Sequence, residues 1–150
     1  MDHGEMSDFL ESTKTAVLTT LDGRGWPHSV AMWFLPPGGA TTGLRMWTYR
    51  KSQKVRNLER DSRAAFLAET GEAYNELRGV LVRARIEMID DFESVRAIGK
   101  GLHERYVGPL RGAPEESVFL DEIDRQAKKR VGLILPLDRV ASWDHSKLGS

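Results

Sequence analysis

The sequence contains no cysteine. That absence excludes disulfides, thiol nucleophiles and thiolate metal sites, and it fits a reducing cytoplasm. It also lacks an excess of either charge: Lys plus Arg and Asp plus Glu each total 22, for a formal net charge of zero. No long-range field then holds the chain on nucleic acid or an acidic membrane, so any basic site must be local. No apolar run reaches the roughly 18 residues of a membrane span. The start "MDHGEMSDFLES" has none of the charged-then-apolar pattern of a secretion signal. A soluble cytoplasmic protein without membrane or nucleic-acid partners is expected. The four histidines, His3, His28, His103 and His145, have no metal-like spacing, and no metal site is expected. "GRG" and "GKG" lack the strand-glycine-helix context of a dinucleotide loop, and no GxSxG motif occurs.

What is present is a chain of 150 residues, enough for one domain spanning 1–150 with a real core. "GEMSDFLES" reads as a short helix. "TAVLTTL" (Thr15 to Leu21) and "WPHSVAMWFL" alternate as strands around the tight connection "DGRG", a hairpin. Its second strand carries His28, Val30, Met32 and Phe34 on one face, and Ser29, Ala31 and Trp33 on the other. "PPGGATTG" interrupts the chain before a third strand, "LRMWTY" (Leu44 to Tyr49), that runs directly into a helix. "RAAFLAE" is a fourth strand. "LRGVLVRARIEMI" reads as the longest, with Val80, Val82, Ala84, Ile86 and Met88 on one face. Two amphipathic helices follow, "DDFESVRAIGKGLHERYVG" and "APEESVFLDEIDRQAKKR". Then "VGLILPL" and "RVASW" close the fold before the polar tail "DHSKLGS". The pattern predicts a mainly β (α+β) fold, an antiparallel barrel or sandwich with helices outside it.

The helix after the third strand carries its charges backwards. Arg50, Lys51, Lys54 and Arg56 crowd its start, where the macrodipole is positive, and Glu59 and Asp61 occupy its end. The later helix does the opposite, opening with Pro114, Glu115 and Glu116 and closing with Lys128, Lys129 and Arg130. A helix N-terminus offers free N–H groups, and added cations make it a strong phosphate site. Lys51 and Lys54 share a face, Ser52 is available as N-cap, and Asn57 lies one turn beyond Lys54. A solvated basic face is the plain alternative. Trp33 nearby suits the wall of a planar ligand, whereas Trp47 reads equally well as core. The acidic stretches "DDFE" and "PEESVFLDEID" read as helix starts, and no catalytic residue is assigned.

Four stretches, "AVLTTLDGRGWPHSVAMWF", "MWTYRKSQKVRNLERDSRAAFL", "GVLVRARIEMIDD" and "RVASWDHSKL", together resemble the pyridoxamine-phosphate-oxidase-like split β-barrel superfamily. The branch they resemble most is the flavin/deazaflavin oxidoreductases that use coenzyme F420. The resemblance implies a split β-barrel of six to seven antiparallel strands, paired as a homodimer with a cofactor groove between subunits. It implies that Lys51, Lys54, Arg56 and Asn57 hold the cofactor phosphate, with Val55 among the cofactor-binding residues. Thr48, Tyr49 and Arg50 then meet the ribityl chain and ring, and Ser29, Val30, Ala31, Met32 and Trp33 form the strand under the ring. Arg78, Gly79, Trp143 and Lys147 are implied as further neighbours of the cofactor, from the same subunit or from its partner. The implied activity is hydride transfer between F420 and a small unsaturated organic substrate, with Tyr74 one candidate proton donor. FMN in place of F420, or a non-enzymatic binder of F420, flavin or haem, are the alternatives. The extended C-terminal segment that pyridoxamine-phosphate oxidases use for substrate is lacking, so vitamin synthesis is not expected.

Overall fold

A computed structural model describes residues 1–38, 42–108 and 115–149. The expected Pro114 at the start of the second long helix, and the middle of "PPGGATTG", lie outside them.

Among the described residues, eight antiparallel strands form two sheets. The larger has the order β2-β1-β4-β5-β8, built from β1 (Ala16–Leu21), β2 (Pro27–Met32), β4 (Arg63–Thr70), β5 (Arg78–Arg85) and β8 (Arg139–Asp144). The smaller has the order β3-β7-β6, from β3 (Leu44–Tyr49), β6 (Glu87–Ile89) and β7 (Arg130–Leu135). Between the sheets lies the core, where Leu18, Phe34, Met46, Phe66, Val82 and Leu133 are fully buried. Around it stand α1 (His3–Ser12), α2 (Gln53–Arg60), α3 (Phe92–Tyr106) and α4 (Glu115–Ala127). This is the expected split barrel with flanking helices.

The long strand expected over residues 77–89 is two strands. β5 and β6 belong to different sheets, and between them the buried Ile86 donates its N–H to the Ser62 carbonyl at 2.8 Å. The chain turns a corner there and closes the barrel. Inward alternation survives the corner, since Val80, Val82 and Ile86 are buried and Ala84 and Met88 pack against the same core. The hairpin alternation also holds, although β2 ends at Met32 and Trp33 stands beyond it.

Helix starts follow their caps. Asp2 forms a capping box with Glu5 on α1, Asp91 accepts from the Ser94 N–H on α3, and Ser52 caps α2. α4 stops at Ala127, and Arg130 opens β7. The expectation that Arg130 closes the helix is therefore corrected. Pairing with Tyr49 across the small sheet takes that residue into strand geometry.

Candidate functional site

The short link between β3 and α2 is pinned at both ends. Arg50 N–H donates to the Lys129 carbonyl at 2.9 Å, and Ser52 N–H donates to the Tyr49 carbonyl at 3.0 Å. The helix begins at Gln53, so Arg50 and Lys51 precede it and only Lys54 and Arg56 stand in its opening turns. No acidic residue occupies the first turn. At the other end the reversal is partly offset, because Arg60 lies in the last turn and Asp61 is held by Arg63.

Lys54 is the cation that the site treats differently. Burial first, and then the positive charge of Arg130, hold its ammonium below the usual lysine range. Arg130 lies cross-strand from Tyr49, with its guanidinium carbon 4.1 Å from the Tyr49 ring centre and 4.6 Å from that of Trp47. Its Nε is buried without a hydrogen-bond partner. Two cations are thus kept close together and partly dry. An anion between them would offset the repulsion between the two cations and satisfy the orphaned guanidinium donor. Sequence reasoning missed Arg130, which stands 81 positions from Tyr49 and reaches it only through the β3–β7 register.

The remaining expected residues sort by position. Lys51 and Arg56 are exposed, while Arg50 is ion-paired with Asp90. Asn57 is wholly buried: it donates to Thr20 Oγ1 at 3.0 Å and accepts from Gln53 Nε2 at 2.8 Å. Through these bonds Asn57 braces α2 against β1. The Val55 side chain also belongs to the core, and its N–H donates to Ser52 Oγ at 3.4 Å. Thr48 is buried, whereas Tyr49 keeps half its surface exposed. Trp47, which read equally as core or ligand wall, is half-buried: it packs against Leu35, Ile98 and Leu102 with its ring on Gly99, and the Arg130 guanidinium lies over that ring.

On β2, Ser29 and Ala31 face outward and Val30 and Met32 inward. Ser29 shares a hydrogen bond with Thr19 at 2.8 Å. Trp33 is 53% exposed and stacks on Tyr106 at 4.3 Å, leaving its other face open. The Tyr106 hydroxyl clamps the Phe34 backbone from both sides, at 3.0 and 3.1 Å.

A second cluster gathers Arg78, Gly79, Trp143 and Lys147 at one end of β5 and β8. The Trp143 ring lies directly over Gly79, where a Cβ would come within 2.2 Å of it, so only glycine fits. Arg78 pairs with Asp144 at 3.4 Å and Lys147 with Glu5 at 2.6 Å. No hydrogen bond or ion pair among the described residues joins this cluster to the start of α2. Tyr74 is exposed, and its ring packs on His145 at 4.6 Å. Among the described residues no group of His, Asp or Glu could hold a metal ion, and no helix is long and apolar enough to cross a membrane.

A search against curated proteins returned no match. Among solved structures, the conserved hypothetical protein Rv2991 from Mycobacterium tuberculosis is 37% identical with a TM-score of 0.87. The match covers 100% of this chain and 89% of that one. An F420 reductase is 25% identical with a TM-score of 0.66, over 90% of this chain and 94% of its own. HutZ, the haem storage protein of Vibrio cholerae, is 17% identical with a TM-score of 0.68, over 93% and 92%, a likeness of fold alone. The family described as pyridoxamine 5'-phosphate oxidase matches residues 3–143, nearly the whole chain. With its split barrel and that match, the chain belongs to the pyridoxamine 5'-phosphate oxidase family.

Proposed function

We propose that the protein is an F420-dependent oxidoreductase that works as a homodimer and transfers a hydride between the cofactor and a small unsaturated substrate. The observation that carries the reading is Lys54, a partly buried ammonium depressed by burial and by Arg130 at an acid-free helix N-terminus. The likeness to an F420 reductase favours this cofactor within the family.

The residues fit a phosphorylated, planar group. Lys51, Lys54 and the free N–H groups of the first turn take the phosphate. Arg130, stacked on Tyr49 and Trp47, adds a second positive charge on a rigid aromatic support. Ser29, Ala31 and the open face of Trp33 supply the surface for a flat ring system. F420, when bound, supplies the hydride chemistry, and the chain binds, orients and keeps water away.

The homodimer is supported by the outer face of the large sheet. Register aligns Ala31, Val17, Leu67, Leu81 and Ala141 in one row across all five strands. Each points outward and is exposed or half-exposed. A second copy on that row would bury it. FMN in place of F420 is the second reading, favoured by the family match itself. Parallel titration with F420 and FMN decides between them: saturable quenching by F420 alone supports the lead reading, and quenching by neither refutes both.

A further inference from the structure

A cavity of about 620 Å³ opens on the outer side of the large sheet, and none of its lining residues belongs to the candidate cofactor site. Its walls carry Arg63, Arg83, Arg85 and Arg139 against one carboxylate, Asp138. Strand pairing produces this arrangement. Arg63 lies directly opposite Arg85 on β4 and β5, and Arg83 directly opposite Arg139 on β5 and β8. Like charges placed opposite each other across a sheet repel, and here two such pairs are adjacent. Ala65, outward on β4 and opposite Arg83, leaves the space between them open.

The charges are largely uncompensated. Arg63 is engaged by Asp61, with contacts of 2.6 to 3.2 Å. Among the described residues Arg83, Arg85 and Arg139 form no ion pair, and Arg85 has only the Ser62 hydroxyl at 3.4 Å. Guanidinium forks match carboxylate and phosphate oxygens two at a time. The volume falls within the range of small-molecule sites. We propose that this arginine-walled cavity is a binding site for a small polyanion, a molecule bearing two or more carboxylate or phosphate groups. The proposal concerns residues other than those of the candidate cofactor site, on the outer face of the large sheet that also carries the proposed dimer row, two positions along each strand from Leu67, Leu81 and Ala141.

Calorimetric titration of the full-length protein with citrate and, separately, tripolyphosphate tests it. Saturable binding of at least one is expected, and which of them binds more tightly identifies carboxylate or phosphate as the preferred group. The double variant Arg83→Gln, Arg139→Gln should lose at least about tenfold in affinity while its melting temperature holds or rises, as like charges are removed. Should the double variant not fold, Arg139→Gln alone, on the edge strand β8, carries the same comparison. The proposal is overturned if neither polyanion binds saturably, or if the arginine variants bind as tightly as the parent. Binding lost in Lys54→Ala but kept in the arginine variants overturns it equally, since the polyanion would then occupy the other basic site.

Discussion

Replacing Asn57 by alanine distinguishes a brace from a ligand contact. Its side chain has no exposed surface, and its amide links Thr20 of β1 to Gln53 one turn back in α2. Truncation deletes these two hydrogen bonds and a longer one from Arg60 Nη2 at 3.5 Å, and leaves the Thr20 hydroxyl, itself 1% exposed, without that partner. An unsatisfied buried polar group costs about 1 to 3 kcal/mol, and a small cavity adds to it. The expected total is about 2 to 4 kcal/mol. For a chain of this size each kcal/mol lowers the melting temperature by roughly 2 to 4 °C, so a fall of about 5 to 15 °C is expected by calorimetry or circular dichroism. Thr20→Val removes the other partner, and the double variant should cost less than the two single changes added, with a coupling of about 1 kcal/mol. A melting temperature unchanged in Asn57→Ala, together with lost cofactor binding, would refute this reasoning. It would mean that the amide turns outward to a ligand.

Further outcomes follow from the same geometry. Gly99→Ala places a Cβ within 2.4 Å of the Trp47 ring that supports Arg130. It should cost about 1 to 3 kcal/mol in urea melts and weaken F420 binding as well; loss of stability with cofactor affinity intact would separate Trp47 from the site. Asp61 is held at about 2, below its usual 3.8, chiefly by the Arg63 side chain. Its contribution to stability is therefore full above about pH 4 and disappears as pH falls toward 2. The gap in melting temperature between wild type and Asp61→Asn should close over that window, and a gap constant with pH would contradict it. Wild-type protein should elute at twice the 16.9 kDa chain mass in light scattering, and Leu81→Arg at the chain mass; a monomeric wild type would end the homodimer proposal.

Much of the fold was legible because local signals agreed with it. Alternation in residues 16–21, 27–32 and 44–49, and the caps Asp91 and Ser52, act within a few residues of the elements that they specify. The β5–β6 corner was not legible, since inward residues keep the same parity through Ile86 and nothing in the alternation marks a change of sheet. The start of α2 was legible as a charge anomaly, but its details were long-range. Asn57 on a basic helix reads as exposed, and only the approach of Thr20 buries it. Arg130 follows two lysines and reads as a helix-closing cation, while register with Tyr49 makes it part of the site. The opposed arginine pairs join β4, β5 and β8, and no local pattern announces them.

The central claim is that Lys54, kept partly dry beside Arg130, grips the anionic group of a bound cofactor. Fluorescence titration of wild-type protein and Lys54→Ala with F420 tests it most directly. The account predicts saturable micromolar binding by wild type and an affinity at least about tenfold weaker in Lys54→Ala, as expected for a lost charge-assisted hydrogen bond. Equal affinity in both proteins, or no saturable signal with wild type, would contradict it.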